Sequence, residues 1–134
     1  MEVQGSCYCG EVTYRAEVSP AEVVVCHCVD CQILTGTAYR VSVPAKAENF
    51  TLLSGEPKVF LKLAESGNRR AHSFCGNCGS PLFATSADDK PSLYMLRVGT
   101  LAERASLAPQ REIWCRSALP WALRLETKSR KEKQ

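Results

Sequence analysis

Seven of the eight cysteines in the chain fall into three clusters, Cys7-x-Cys9, Cys26-x-Cys28-x-x-Cys31 and Cys75-x-x-Cys78. Gaps of one or two residues aim neighbouring sulfurs at one point. A tetrahedral Zn²⁺ held at about 2.3 Å per thiolate needs that convergence. The same gaps suit disulfides poorly, because the bridge demands Cα and Cβ separations that local backbone rarely meets. Two pairs close a four-thiolate shell, whereas the remaining three cysteines leave one position vacant. Cys7, Cys9, Cys75 and Cys78 are therefore assigned to a structural zinc, since a ligand set split along the sequence staples the N-terminal strand to the middle of the chain. Cys26, Cys28 and Cys31 need no distant partner, and three protein ligands with an open position are the arrangement of catalytic zinc. Two Zn²⁺ per chain are expected. Three readings compete: a disulfide framework in an oxidising compartment, a second closed site completed by Cys115, and an iron–sulfur cluster, whose usual spacing runs are absent.

A chain of 134 residues with 45% hydrophobic content is expected to form one domain with a modest core, to which two metal cross-links would add rigidity. The segment Met1 to Ser6 is neither basic nor apolar, and the longest apolar run, Val23 to Cys26, is far too short to span a bilayer. A soluble, cytoplasmic protein in a reducing compartment is expected, with no membrane partner. The formal charge of +3 resides wholly in residues 128–134, where Lys128, Arg130, Lys131 and Lys133 outweigh Glu132. Residues 1–127 are thus neutral overall and are read as the zinc-binding domain, with 128–134 as a flexible basic tail. No basic stripe interleaved with aromatics is present, which argues against nucleic acid.

Period-two segments separated by Gly, Pro and Ser predict an all-β domain. Strands are expected around Val12 to Ala16, Glu22 to Cys26, Ala38 to Val43 (ending at Pro44), Phe50 to Leu53 and Lys58 to Leu63. Others are expected over Arg70 to Phe74, Leu82 to Thr85, Leu93 to Val98, Glu112 to Cys115 and Ala122 to Leu125. Only Asp30 to Leu34 and Leu101 to Ala105 offer a turn or two of helix. Gly5, Gly10, Gly76 and Gly79 flank the cysteine pairs, where a metal knuckle calls for positive φ and close backbone approach.

Taken together, Gly5-Ser6-Cys7-Tyr8-Cys9-Gly10-Glu11-Val12, Cys26-His27-Cys28-Val29-Asp30-Cys31, Gly36, Phe74-Cys75-Gly76-Asn77-Cys78-Gly79, Val98-Gly99-Thr100-Leu101 and Ile113-Trp114 with Trp121 resemble the glutathione-dependent formaldehyde-activating (Gfa-like) family, which also contains centromere protein V. The likeness runs over about residues 3 to 125. It implies a zinc-stapled β-tent of several short coiled antiparallel sheets. It also implies a structural zinc at Cys7, Cys9, Cys75 and Cys78 and a catalytic zinc at Cys26, Cys28 and Cys31. The implied activity is that of a carbon–sulfur lyase condensing glutathione, or another small thiol, with formaldehyde to S-hydroxymethylglutathione. A non-catalytic zinc-binding interaction module is the alternative. The pattern departs from the family at two places: Gln32 follows Cys31 where Arg is frequent, and Glu112 precedes Ile113-Trp114 where His is common.

A substrate such as glutathione, with two carboxylates, calls for guanidinium or backbone donors. Arg40, Arg69, Arg70, Arg97, Arg111 and Arg116 are the candidates, though each reads first as a solvated surface residue. His27, between two candidate ligands in extended chain, points to the opposite face and reads as support for the core. His72 reads as a half-buried strand residue, Trp114 and Trp121 as core or cavity wall, and Cys115 as a small buried hydrophobe or the fourth ligand.

Overall fold

Among the described residues, ten strands and one short α-helix follow in the order β1 (Glu2–Ser6), β2 (Thr13–Glu17), β3 (Val24–Cys26), α1 (Val29–Thr35), β4 (Arg40–Lys46), β5 (Phe50–Ser54), β6 (Lys58–Leu63), β7 (Arg69–Phe74), β8 (Pro81–Ser86), β9 (Leu93–Arg97) and β10 (Arg111–Ile113). The structure is a computed structural model and describes residues 1–133; Gln134, the last residue of the expected tail, lies outside the described residues. Three strands form one sheet in the order β1-β2-β5, and seven form a second in the order β10-β3-β4-β9-β8-β7-β6. The architecture is all-β, as expected. Strand pairs are antiparallel except β10 with β3, which run parallel.

The period-two pattern of the sequence becomes the inside–outside alternation of the first sheet. Val3, Tyr14 and Ala16 are buried, while their neighbours Gln4 and Arg15 face water. Tyr14 is the largest fully buried side chain. It joins the two sheets: its ring packs on Phe50 of the first sheet and edge-on to Phe83 of the second, and Phe50 stacks on Tyr94 at 4.0 Å. Leu82, Leu96 and Leu101 complete the interior, and full burial of each such side chain stabilises the fold by roughly 1.5–3 kcal/mol. The Tyr14 hydroxyl meets Thr100 Oγ1 at 2.9 Å, and burial pushes its pKa up to about 12.

Several expected elements differ from those observed. The strand around Ala38 to Val43 does not stop at Pro44; β4 continues to Lys46, with Pro44 opposite Met95 of β9. β3 pairs with β4 only as far as Ser42, so on that side Pro44 lies at a free edge where a missing N–H is tolerated. Glu22 belongs to a 3₁₀ turn, Pro20–Glu22, rather than to β3. The expected strand Glu112 to Cys115 ends at Ile113 because Trp114 adopts left-handed φ of 57° and leads into the 3₁₀ turn Cys115–Ser117. Ala122 to Leu125 forms no strand; Leu123 and Leu125 stay exposed. Leu101 to Ala105 holds one bridge residue and part of the 3₁₀ turn Arg104–Ser106.

Candidate metal centres

The hairpin turn between β1 and β2 carries Cys7 and Cys9, and the turn between β7 and β8 carries Cys75 and Cys78. Although the two turns belong to different sheets, their four sulfurs lie within 4.8 Å of one another. Cys7 and Cys9 sulfurs are 3.5 Å apart, and Cys9 and Cys75 sulfurs 3.8 Å. Edges of a tetrahedron of thiolates around Zn²⁺ measure roughly 3.8 Å, from the zinc–sulfur bond length. The donor set and its spacing thus fit the ion. Gly79 takes a φ of 77° in the second knuckle, and its amide closes that turn onto the Cys75 carbonyl at 2.8 Å. The expectation of special backbone at every flanking glycine does not hold for Gly5 and Gly76, which lack positive φ. Gly5 is needed instead because a Cβ there would overlap the buried Tyr14 ring, whereas a Cβ at Gly76 would meet only the flexible Lys58 stem, which can move aside. Hydrogen bonds from the Ser80 side chain and backbone draw the Cys78 thiol down to about 5.

The second cluster is built by a strand-to-helix turn. Cys26 ends β3, Cys28 is the N-cap of α1, and Cys31 sits in its first turn, where the Cys28 sulfur accepts from the Cys31 amide at 3.3 Å. The three sulfurs again lie within 4.8 Å of one another. Their acidities diverge: Cys31 is held below the usual thiol range, first by its hydrogen bond with Cys26 and further by the Arg40 charge, while Cys26 is pushed up. Three sulfur donors so placed are a set that a divalent ion with affinity for thiolates would complete. Cys115 is exposed and stands outside both clusters, so the reading of it as a buried hydrophobe does not hold. No disulfide links any of the eight cysteines.

Around the trio lies an open cavity of about 420 Å³. Its floor and walls include Arg40, Arg97, His72, Lys62, Trp114 and Arg116. Trp114 is a wall residue, 40% exposed, with the Arg116 guanidinium 4.9 Å above its ring; Trp121 is 53% exposed and is not core. His27 is fully buried, edge-on to Tyr39, with Nε2 3.1 Å from a Glu112 carboxylate oxygen. Gln32 points away from the cavity's cations: its amide donates to the His27 carbonyl at 2.8 Å and to the Ser117 carbonyl at 3.0 Å. Of the six arginines read as surface residues, Arg40 and Arg97 are buried. The alternation of β4 carries the signal for one of them, since Arg40 and Ser42 share a face; Arg97 needs the β4–β9 register, which sets it opposite Ser42. Burial lowers the Arg97 pKa to about 9, and the nearby Arg40 charge adds to this.

No helix among the described residues is long and apolar enough to cross a membrane. The search of curated proteins yields no match. Among solved structures, a Rhodobacter sphaeroides protein superposes with a TM-score of 0.62 at 20% identity, over 81% of this chain and 98% of its own. That likeness concerns the fold. Residues 2–117 match the model of a family described as glutathione-dependent formaldehyde-activating enzyme; with both cysteine clusters inside the matched span, the chain belongs to that family.

Proposed function

We propose that the chain is a zinc-dependent carbon–sulfur lyase that joins a small thiol to a carbonyl compound, with glutathione and formaldehyde as the family's namesake pair. In this reading Cys26, Cys28 and Cys31 hold the catalytic zinc, and Cys7, Cys9, Cys75 and Cys78 hold a structural one. The observation that carries it is the convergence of three sulfurs on the wall of an open cavity, with Cys115 outside the cluster and His27 engaged by Glu112. Zinc held there would supply thiol activation, because coordination deprotonates a sulfur that is mostly protonated when free.

The protein's own groups do the rest. The α1 turn fixes three donors in one small volume, and the cavity admits a small molecule beside them. Trp114 gives that molecule an apolar wall, and the guanidinium groups hold its anionic parts. The free thiols suit a reducing, cytoplasmic setting.

Metal analysis together with thiol-dependent loss of formaldehyde tests the reading. About two zinc ions per chain and a rate above the uncatalysed thiol–formaldehyde background are expected. Cys28→Ala is expected to lower zinc to about one per chain and the rate by at least about 100-fold. A variant that keeps the wild-type rate would defeat the assignment.

A further inference from the structure

Two guanidinium groups stand in the trio's cavity with no carboxylate to answer them. Arg40 is 6% exposed and Arg97 8%, and the Nε of each is buried without a hydrogen-bond partner among the described residues. The carboxylates at the cavity are already engaged: Asp30 holds Lys62 at 2.7 Å, and Glu65 meets Arg116 at 3.5 Å. What Arg97 does have is neutral, Ser42 Oγ at 2.9 Å and His72 Nδ1 at 3.3 Å. Burial, with the Arg97 and Arg40 charges, holds His72 down to about 4, so it accepts from Arg97 at neutral pH without offsetting its charge. A zinc on three thiolates carries a net single negative charge, which answers one guanidinium and leaves the other. Buried cations are normally paired, and a guanidinium fork matches a carboxylate.

We propose that Arg40 and Arg97 form an anion subsite that takes a carboxylate of the substrate, so that the chain selects acidic thiols over neutral ones. The subsite rests on the thiol reading only for the sulfur end of the ligand. Its position suits that task. Arg40 is the cross-strand partner of Cys26, and such partners have Cα atoms roughly 4.5–5.5 Å apart. A carboxylate two or three carbons from a sulfur can therefore reach the guanidinium while its sulfur lies at the trio.

Calorimetric titration of the zinc-loaded protein with 3-mercaptopropionate, with its neutral amide and with butyrate, where a methyl replaces the thiol, tests the subsite. The acid is expected to bind at least about tenfold tighter than the amide, and Arg97→Met to bring it down to the amide's affinity. Arg97→Lys should retain part of the preference, and zinc content and circular dichroism should match wild type. If Arg97→Met does not fold, Arg40→Met and Arg97→Lys carry the comparison. Butyrate is expected to bind wild type weakly and to lose that binding in the Met variants. If neither thiol binds while butyrate does so through Arg97, the subsite stands and the thiol reading falls. Equal affinity of acid and amide in wild type, or a preference that survives both Met substitutions, overturns the subsite.

Discussion

Gly5 shows how a single missing carbon shapes the interface between the two sheets. It lies opposite Tyr14 in the β1–β2 register, and the phenol ring crosses the space that a Cβ would take. Tyr14 cannot yield easily, because it is fully buried and its hydroxyl is bound to Thr100. Gly5→Ala should therefore destabilise by about 1–3 kcal/mol, the usual range for overfilling a packed core. Urea unfolding would show a lower midpoint at unchanged slope, and a midpoint equal to wild type would refute the clash. His72 sets a pH dependence by a different route. Unfolded, its imidazole titrates near 6.5; folded, burial and then the Arg97 and Arg40 charges hold it near 4. As pH falls through 6.5 the unfolded chain takes the proton first, so stability is full above 6.5 and declines down to about 4. The ring is only half-buried, and solvent screening limits the loss to the order of 1 kcal/mol. Comparing wild type with His72→Gln over that window isolates the effect, which a parallel pair of stability profiles would rule out.

The helix α1 and the turn Cys115–Ser117 are held as one unit by Gln32. Its side-chain amide bonds two carbonyls, His27 in the cysteine turn and Ser117 beneath the Trp114 wall. Gln32→Ala should cost roughly 1–3 kcal/mol, from two bonds at about 0.5–1.5 kcal/mol each. Gln32→Glu should cost more, because a carboxylate would face two carbonyl oxygens with nothing to donate. Thermal melts rank the two, and the reverse order would exclude the tie. Little of this unit is legible in the sequence. The helix is, since the short Cys28-to-Cys31 spacing reads as a turn, and α1 exceeds the expected Asp30 to Leu34 by one residue at each end. Pairing partners are not: β10 lies parallel to β3, a choice made by long-range packing rather than by its own residues. Ala122 to Leu125 shows the converse, an apolar pattern that pairs with no strand. The cysteine groups were readable because local spacing fixes most of their geometry. Residue type alone assigns guanidinium groups to water; only the β4 alternation hints at the burial of Arg40, and nothing local signals that of Arg97.

At the scale of the whole molecule, the two sulfur clusters stand in unequal positions relative to the two sheets. The trio belongs to one continuous segment, β3 through α1, and its loss severs no connection between sheets. The four-sulfur cluster joins the β1–β2 turn to the β7–β8 turn. Apart from the aromatic core, that corner is tied by the Tyr8 amide to Ser80 Oγ at 2.9 Å, by the Cys75 sulfur to Glu11 Oε2 at 3.7 Å and by the Gly5–Leu101 bridge. Cys7 and Cys75 are themselves part of the buried core, so a ligand lost there also leaves unsatisfied thiols inside. If the cluster holds a structural zinc, its binding free energy is folding free energy. Cys78→Ser should then lower the melting temperature by about 10 °C or more, and saturating chelator should unfold the chain. Cys28→Ala should shift it by only a few degrees while removing one zinc. Measuring both variants by calorimetry and metal content separates the two roles. Equal destabilisation by the two substitutions would mean that the clusters share the structural load, and the division between a stapling centre and a reactive one would have to be abandoned.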